Sequence, residues 1–363
     1  MNQKNKKSAL TENKGIERPE IVSEVVASRI QGFRKIVPSS KDLIQGILNK
    51  DITALSRAIS LVESTNISHQ QRANEVINAC LPYANQSIRI GITGVPGVGK
   101  STFIEAFGKH LTGLGKKVAV LAVDPSSTIS HGSILGDKTR MEELVKDKNA
   151  YIRPSASGEN LGGVARKTRE TIILCEAFGF DTILIETVGV GQSETAVHSM
   201  VDFFLLLNLA GAGDELQGIK RGIMEMADAV IINKCDGENI TKANLAKAAF
   251  NSAIHMFPAK NSGWSPQVAT CSALLNTGIN ELWQMILDFK TLTTSNGYFE
   301  NKRAEQNQYW LLETINSNLQ QHFYSNQKIV KLLEKNKLAI MSSKISPFEV
   351  ANQLLKTYFA DKE

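Results

Sequence analysis

One eight-residue stretch constrains this chain more than any other: Gly94-Val95-Pro96-Gly97-Val98-Gly99-Lys100-Ser101. It reads G-x-x-x-x-G-K-S, a phosphate-binding loop whose glycines let the backbone wrap an anion while its amides point inward. The flanks agree. Ile88 to Thr93 alternates β-branched residues with others and predicts a strand; Thr102 to Phe107 predicts a helix. Strand, glycine loop and helix form the context the motif requires, and the helix start adds partial positive charge. In such a loop Lys100 reaches the β- and γ-phosphates and Ser101 ligates Mg²⁺. Thr102 belongs with the same nucleotide contacts.

The chain has 363 residues and 42% hydrophobic content, enough for one large α/β domain with helical additions. Its net charge of +5 is spread along the sequence. Lys4, Lys6 and Lys7 form the one notable cluster and read as a solvated tail, so no nucleic-acid partner is expected. Cys80, Cys175, Cys235 and Cys271 form no C-x-x-C pair, which suits a reducing cytoplasm and argues against a disulfide framework or a zinc cluster. The polar start, Met1 to Asn5, lacks a signal-peptide core, and the most apolar run, Phe203 to Leu207, is too short to span a bilayer. A cytoplasmic protein with no membrane partner is expected.

Four regions follow. Residues 1–20 are polar and lysine-rich and are expected to be disordered. Residues 21–86 have helical periodicity, with Leu55, Ile59 and Val62, then Val76, Ile77 and Cys80, on single faces; Pro82 ends the run. Residues 87–290 alternate strands with helices. The strands Val118–Val123, Thr182–Thr187, Asp202–Leu207 and Ala229–Asn233 are apolar on both faces, which predicts a mainly parallel sheet flanked by helices. Residues 291–363 form a helical arm. Leu311, Ile315, Leu319 and Phe323 fall four apart on one face. Ser346-Pro347-Phe348-Glu349 is a capping box that opens a last helix, whose stripe Val350, Leu354, Tyr358 either folds back on its own core or meets a second subunit.

Asn233-Lys234-Cys235-Asp236 reads N-K-x-D at the end of a predicted strand. The Asp236 carboxylate can accept two hydrogen bonds from guanine; adenine offers a lone pair there and leaves the carboxylate unsatisfied. The Lys234 stem can lie along the base, and Asn233 can tie this loop to the phosphate loop. Cys271-Ser272-Ala273-Leu274 follows strand-like Val268-Ala269-Thr270, and its amides can donate to the guanine carbonyl. GTP and GDP are therefore expected ahead of ATP.

Asp124, Asp137 and Glu186 lie where a phosphate-sensing apparatus belongs; a hard divalent cation needs only one or two such carboxylates beside Ser101. Gly189 can offer its amide to the γ-phosphate. Val190 follows it, at the position of the water-orienting glutamine of Ras-like GTPases. Valine cannot orient water, and Gln192 is two residues further on. Slow basal hydrolysis is expected, raised by rearrangement or by a partner.

The runs VDPSS at 123–127, GSILGDKTRM at 132–141, LGGVARKT at 161–168, ETVGVGQSE at 186–194 and GAGDELQGIK at 211–220 resemble the MeaB/ArgK family. This is the methylmalonyl-CoA mutase-associated GTPase group of the SIMIBI class of P-loop proteins. The likeness covers roughly Leu43 to Trp283. It implies a homodimeric GTPase chaperone that gates cofactor loading and protects or reactivates an adenosylcobalamin-dependent acyl-CoA mutase. It implies phosphate and magnesium roles for Lys100, Ser101, Asp124, Asp137 and Glu186, and a mobile switch over Ala212 to Lys220 in which Asp214 and Lys220 change partners. Ala210 stands where the family has proline, and Cys235 where alanine is usual.

Three alternatives are weighed beside it. A nickel-delivery GTPase would need a His/Cys cluster, and the six histidines are scattered. A kinase linked to amino-acid transport would need a phosphoacceptor site and a general base, for which no separate constellation is found. A module that holds GTP without turning it over is the third.

Overall fold

A computed structural model of the chain describes residues 38–64, 66–123, 141–154, 161–187, 193–210 and 221–360. The chain divides into two units, Met1–Ser39 and Ser40–Glu363, and the elements below belong to the second. The expected tail of residues 1–20 lies outside the described residues.

Three helices come first: α1 (Ser40–Leu48), α2 (Ile52–Glu63) and α3 (Ile67–Cys80). Asp51 and Asn66 cap α2 and α3 by accepting from the amides of Thr53 and Ser68, donors that would otherwise lack a helical partner. Leu55, Ile59 and Val62 are buried along α2, as their spacing predicts. Pro82 lies in the 3₁₀ turn Leu81–Tyr83 that ends this run.

The strands are β1 (Ile88–Gly94), β2 (Val118–Val123), β3 (Ala150–Arg153), β4 (Thr182–Thr187), β5 (Phe203–Leu209), β6 (Ala229–Asn233) and β7 (Gln267–Thr270). They make a seven-stranded sheet among the described residues, in the order β3-β2-β4-β1-β5-β6-β7, with every neighbouring pair parallel. Between and after them run α4 (Lys100–Gly113), α5 (Glu142–Val145), α6 (Leu161–Phe178), α7 (Ser193–His198), α8 (Arg221–Met226), α9 (Ile240–Ile254) and α10 (Ile279–Ser295). From β1 the chain builds one half of the sheet, then crosses to build the other. The crevice at the carboxyl end of β1 is therefore a topological switch point, where such sheets take ligands.

Period-two alternation explains the layers. Ile90, Ile92, Val118 and Val120 face a core completed by Phe103 and Phe107 of α4 and Phe289 of α10. Ala119, Leu121 and Val123 face the opposite core with Leu55, Ile59 and Cys175. Gly91 is where β1 meets that second layer most closely: a Cβ there would lie 2.8 Å from the Phe204 ring.

At the amino ends of β1 and β5 a charged network is enclosed. Glu176 of α6 accepts from Arg89 Nε at 2.8 Å, Arg89 Nη2 at 2.9 Å and Ser87 Oγ at 2.6 Å. Asp202 accepts from the Arg89 amide at 2.8 Å and from Arg303 Nε and Nη2 at 2.8 and 2.7 Å. Both carboxyls are held below the usual carboxylate range by their arginine partners, against the opposing effect of burial.

Arg303 belongs to the arm: α11 (Tyr298–Ser325), α12 (Gln327–Met341) and α13 (Pro347–Ala360). Ser346 Oγ accepts from the Phe348 amide at 3.3 Å, the predicted cap of α13. Val350, Leu354 and Tyr358 are buried against Ile329 of α12, so the chain's own helices cover that stripe. The other stripe differs from its reading: Leu311, Ile315 and Leu319 are exposed. The face α11 buries is Phe299, Arg303, Gln306 and Trp310. Two polar residues carry it because their partners wait at the sheet's amino end, Asp202 for Arg303 and the Val201 carbonyl for Gln306.

Candidate guanine-nucleotide site

Gly94 closes β1 against its neighbour; a Cβ on it would lie 2.5 Å from the Leu207 carbonyl, so only glycine lets the loop leave the sheet here. Gly99 begins α4 with φ +86°, a left-handed conformation that glycine adopts without penalty. Lys100 Nζ donates to the Gly94 carbonyl at 2.8 Å, joining the two ends of the loop. Burial pushes the Lys100 pKa down, and the nearby carboxylates of Glu186 and Glu194 oppose that shift. Ser101 and Thr102 follow in the first turn of α4.

Three loops meet at this end of the sheet. Asn233 Nδ2 donates to the Val98 carbonyl at 2.9 Å, and its Oδ1 accepts from the Ala273 amide at 3.2 Å. One buried side chain thus joins the phosphate loop, the end of β6 and the loop after β7. Lys234 Nζ donates to the Gly97 carbonyl at 2.9 Å, and Lys234 itself adopts φ +58°, a strained conformation of the kind that concentrates at ligand sites. Asp236 Oδ2 accepts from Ser272 Oγ. The Cys235 amide donates to the Cys271 carbonyl at 2.9 Å. A cavity of about 180 Å³ opens among Gly99, Thr102, Lys234, Asp236, Ala273 and Leu274. Its chemistry is that of a base pocket: a carboxylate, a lysine stem and backbone around one small cavity.

Val95, Pro96, Gly97 and Val98 complete the loop, with Val98 buried and Pro96 and Gly97 exposed. Glu186 is buried near the end of β4, in register with Ile92 of β1. The adjacent Thr187 hydroxyl donates to Thr93 at 2.9 Å. Ser101 and Glu186 offer a hydroxyl and a carboxylate, oxygen donors that fit a hard cation such as Mg²⁺. Asp124, Asp137, Gly189, Val190, Gln192, Asp214 and Lys220 lie outside the described residues. Sequence reading missed Glu194, which is buried close enough to Lys100 to act on its charge, and Asn239, which lines the base pocket. Glu194 sits within the ETVGVGQSE run but seven residues beyond the end of β4, where no strand-end signal marks it; Asn239 carries no motif.

A parallel sheet, a glycine loop at its switch point and an N-K-x-D loop beside it define a P-loop GTPase. The model of the family described as methylmalonyl-CoA mutase-associated GTPase MeaB matches residues 55–328, and the chain belongs to that family. It is similar to GTPase ArgK of Escherichia coli, 46% identical over 300 residues, 83% of this chain and 91% of that protein. It is also similar to the mitochondrial methylmalonic aciduria type A homolog of Mus musculus, 44% identical over 326 residues, 87% of this chain and 79% of that protein. A crystal structure described as LAO/AO transport system kinase superposes with a TM-score of 0.69 at 38% identity, covering 88% of this chain and 97% of that one. The chain hydrolyses GTP, as the named GTPases of its family do. No helix among the described residues is long and apolar enough to cross a membrane. Among the described residues no group of three or more His, Cys, Asp or Glu is placed to hold a metal, so nothing there favours the nickel-delivery alternative.

Proposed function

We propose that this GTPase is a chaperone that gates cofactor loading and protects or reactivates an adenosylcobalamin-dependent acyl-CoA mutase of the methylmalonyl-CoA type. Family membership across residues 55–328 is the observation that carries the reading. GTP lies along Gly94 to Thr102 with Gly189 at its γ-phosphate, and its base between Asn233, Lys234 and Asp236 on one side and Ser272, Ala273 and Leu274 on the other. Ser101, Asp124, Asp137 and Glu186 would hold Mg²⁺, which would supply neutralisation of the phosphate charge. Lys100 stabilises the charge that builds on the β/γ-bridge. Val190 cannot position the attacking water, so the basal rate is slow. Gln192, Asp214 and Lys220 complete the catalytic arrangement when a client favours one state of residues 212–220, with Arg221 as the next candidate cation. By linkage, nucleotide then alters client affinity in return. Two copies pair through the arm at 291–363, where the exposed Leu311, Ile315 and Leu319 of α11 support a second copy as the covering surface.

GTP turnover is measured with and without a saturating cobalamin-dependent mutase, for the wild type and Lys220→Ala. The mutase raises kcat by about an order of magnitude or more, the lower side of what a supplied cation achieves. Lys220→Ala keeps GTP affinity and loses most of that gain. Fast basal turnover that the mutase leaves unchanged overturns the reading. Labelled γ-phosphate recovered on an acceptor other than water would favour the kinase alternative.

A further inference from the structure

A second cavity, of about 700 Å³, opens at the other end of the sheet. It lies between α7, α8, the loop from Ile254 to Pro266 and the first turns of α11. Asp228, just before β6, lines it, while Asn233 of the nucleotide site ends that five-residue strand. The two sites are about 16 Å apart along β6 at the usual strand rise. The volume suits a small molecule, and the nucleotide chemistry makes no use of it.

Its two lysines differ. Lys260 is satisfied: Nζ donates to Asp228 Oδ1 at 2.8 Å and to the Met226 and Ala227 carbonyls at 3.0 and 2.7 Å. Lys302 makes one hydrogen bond, to the Asp202 carbonyl at 2.8 Å. The Asp202 carboxylate is already taken by Arg303 and the Arg89 amide. Two of the three Lys302 N–H bonds thus have no acceptor among the described residues. Burial pushes the Lys302 pKa down, and Asp228 and Asp202 oppose that shift. A half-buried ammonium with unmet donors on a cavity wall favours an anion. Lys260 already neutralises the Asp228 carboxylate, so Lys302 presents one positive charge to the cavity, which suits a single negative charge.

Among the other polar groups on the lining, the Glu225 carboxylate is paired with Arg221 at 3.1 Å, and His198 and Tyr298 are uncharged at neutral pH. His198 stacks edge-on against Phe204, and burial pushes it down to about 4, so its ring carries one N–H and one lone pair at neutral pH. Burial also raises the Tyr298 pKa, keeping its hydroxyl a donor. Met224, Phe257, Pro266 and Trp264 supply apolar surface, and the Trp264 indole is fixed by a 2.9 Å bond to the Asp228 carbonyl.

We propose that this cavity binds a small monocarboxylate with an apolar body, its carboxylate on Lys302 and its body against Trp264 and Phe257. The proposal is independent of the client assigned above. The test uses the full chain saturated with Mg-GDP, titrated calorimetrically with 4-phenylbutyrate and with its neutral amide. The acid binds saturably at one site per chain, and the amide binds about tenfold more weakly or worse, the scale of one charge-assisted hydrogen bond. Lys302→Met lowers acid affinity by a similar factor and leaves GDP affinity unchanged, while Lys302→Arg retains binding within a few-fold. Acid and amide binding equally, non-saturable uptake, or undiminished acid binding by folded Lys302→Met overturns the proposal. If Lys302→Met does not fold, the acid–amide comparison on the wild type decides alone.

Discussion

At the amino ends of β1 and β5, Arg89, Glu176, Asp202 and Arg303 neutralise one another out of water. At the carboxyl ends of β1 and β6, Lys100 and Lys234 donate to backbone carbonyls, of Gly94 and Gly97. The first arrangement is closed: each carboxylate has an arginine, and removing one partner strands the other. The second is open, because a lysine on a carbonyl gains by exchanging it for phosphate. The arginine–carboxylate pairs at the amino end hold the fold together; the two lysines at the carboxyl end are kept for a ligand.

Asp202→Ala tests the closed end and has the largest expected effect. It strands Arg303 and frees the Arg89 amide, at a cost of about 3–5 kcal/mol in urea unfolding, the scale of a broken buried ion pair. A loss below about 1 kcal/mol would show that water already reaches the network and would remove the contrast. Lys100→Ala tests the open end. GTP turnover falls by about 10²-fold or more, the scale of losing one such stabilising contact, while unfolding without nucleotide changes little. Near-normal turnover in the folded variant would place the chemistry elsewhere.

Asp236→Asn sharpens the comparison at the base. A mixed donor and acceptor replaces a double acceptor, so GTP binding weakens by about tenfold and XTP, whose carbonyl replaces the amine, gains relative to it. Direct titration with both nucleotides checks this, and unchanged GTP affinity would mean that Asp236 does not read the base. The smallest effect is at His198, in the amino-end cavity. Burial lowers its pKa from 6.5 to about 4. Below about pH 6.5 the unfolded chain binds a proton that the folded chain refuses until about pH 4. Stability therefore rises with pH across that window, and the contribution at pH 5 is at most about 2 kcal/mol. His198→Gln should flatten the slope of unfolding free energy between pH 6.5 and 5; an unchanged slope would assign it to other groups.

The legible parts of the fold were those whose signal is local. β2, β4 and β6 have the bounds expected of them, because a strand buried on both faces is a continuous apolar run. β3 was not anticipated: it is a four-residue edge strand in which only Ile152 is buried, so its composition differs little from a loop. In the arm, the apolar stripe of α11 pointed to the wrong face, since its buried side includes Arg303 and Gln306. Nothing local marks such residues; Arg303 finds Asp202 101 positions away. The site follows the same division. The phosphate and guanine loops were legible because each is a short motif bound to one strand end. Glu194 was not, because its relation to Lys100 exists only once α7 packs against β1 and β4.

Asn233 has one further consequence. Its amide joins the phosphate loop to the base-reading loop through the protein's own groups, so the ordering of these two loops belongs to folding rather than to capture. Nucleotide then docks onto a cradle already set, with little conformational entropy left to lose at that step. Arrival rates should therefore be alike for GTP, GDP and poorly matched bases, and discrimination should reside in how long each stays.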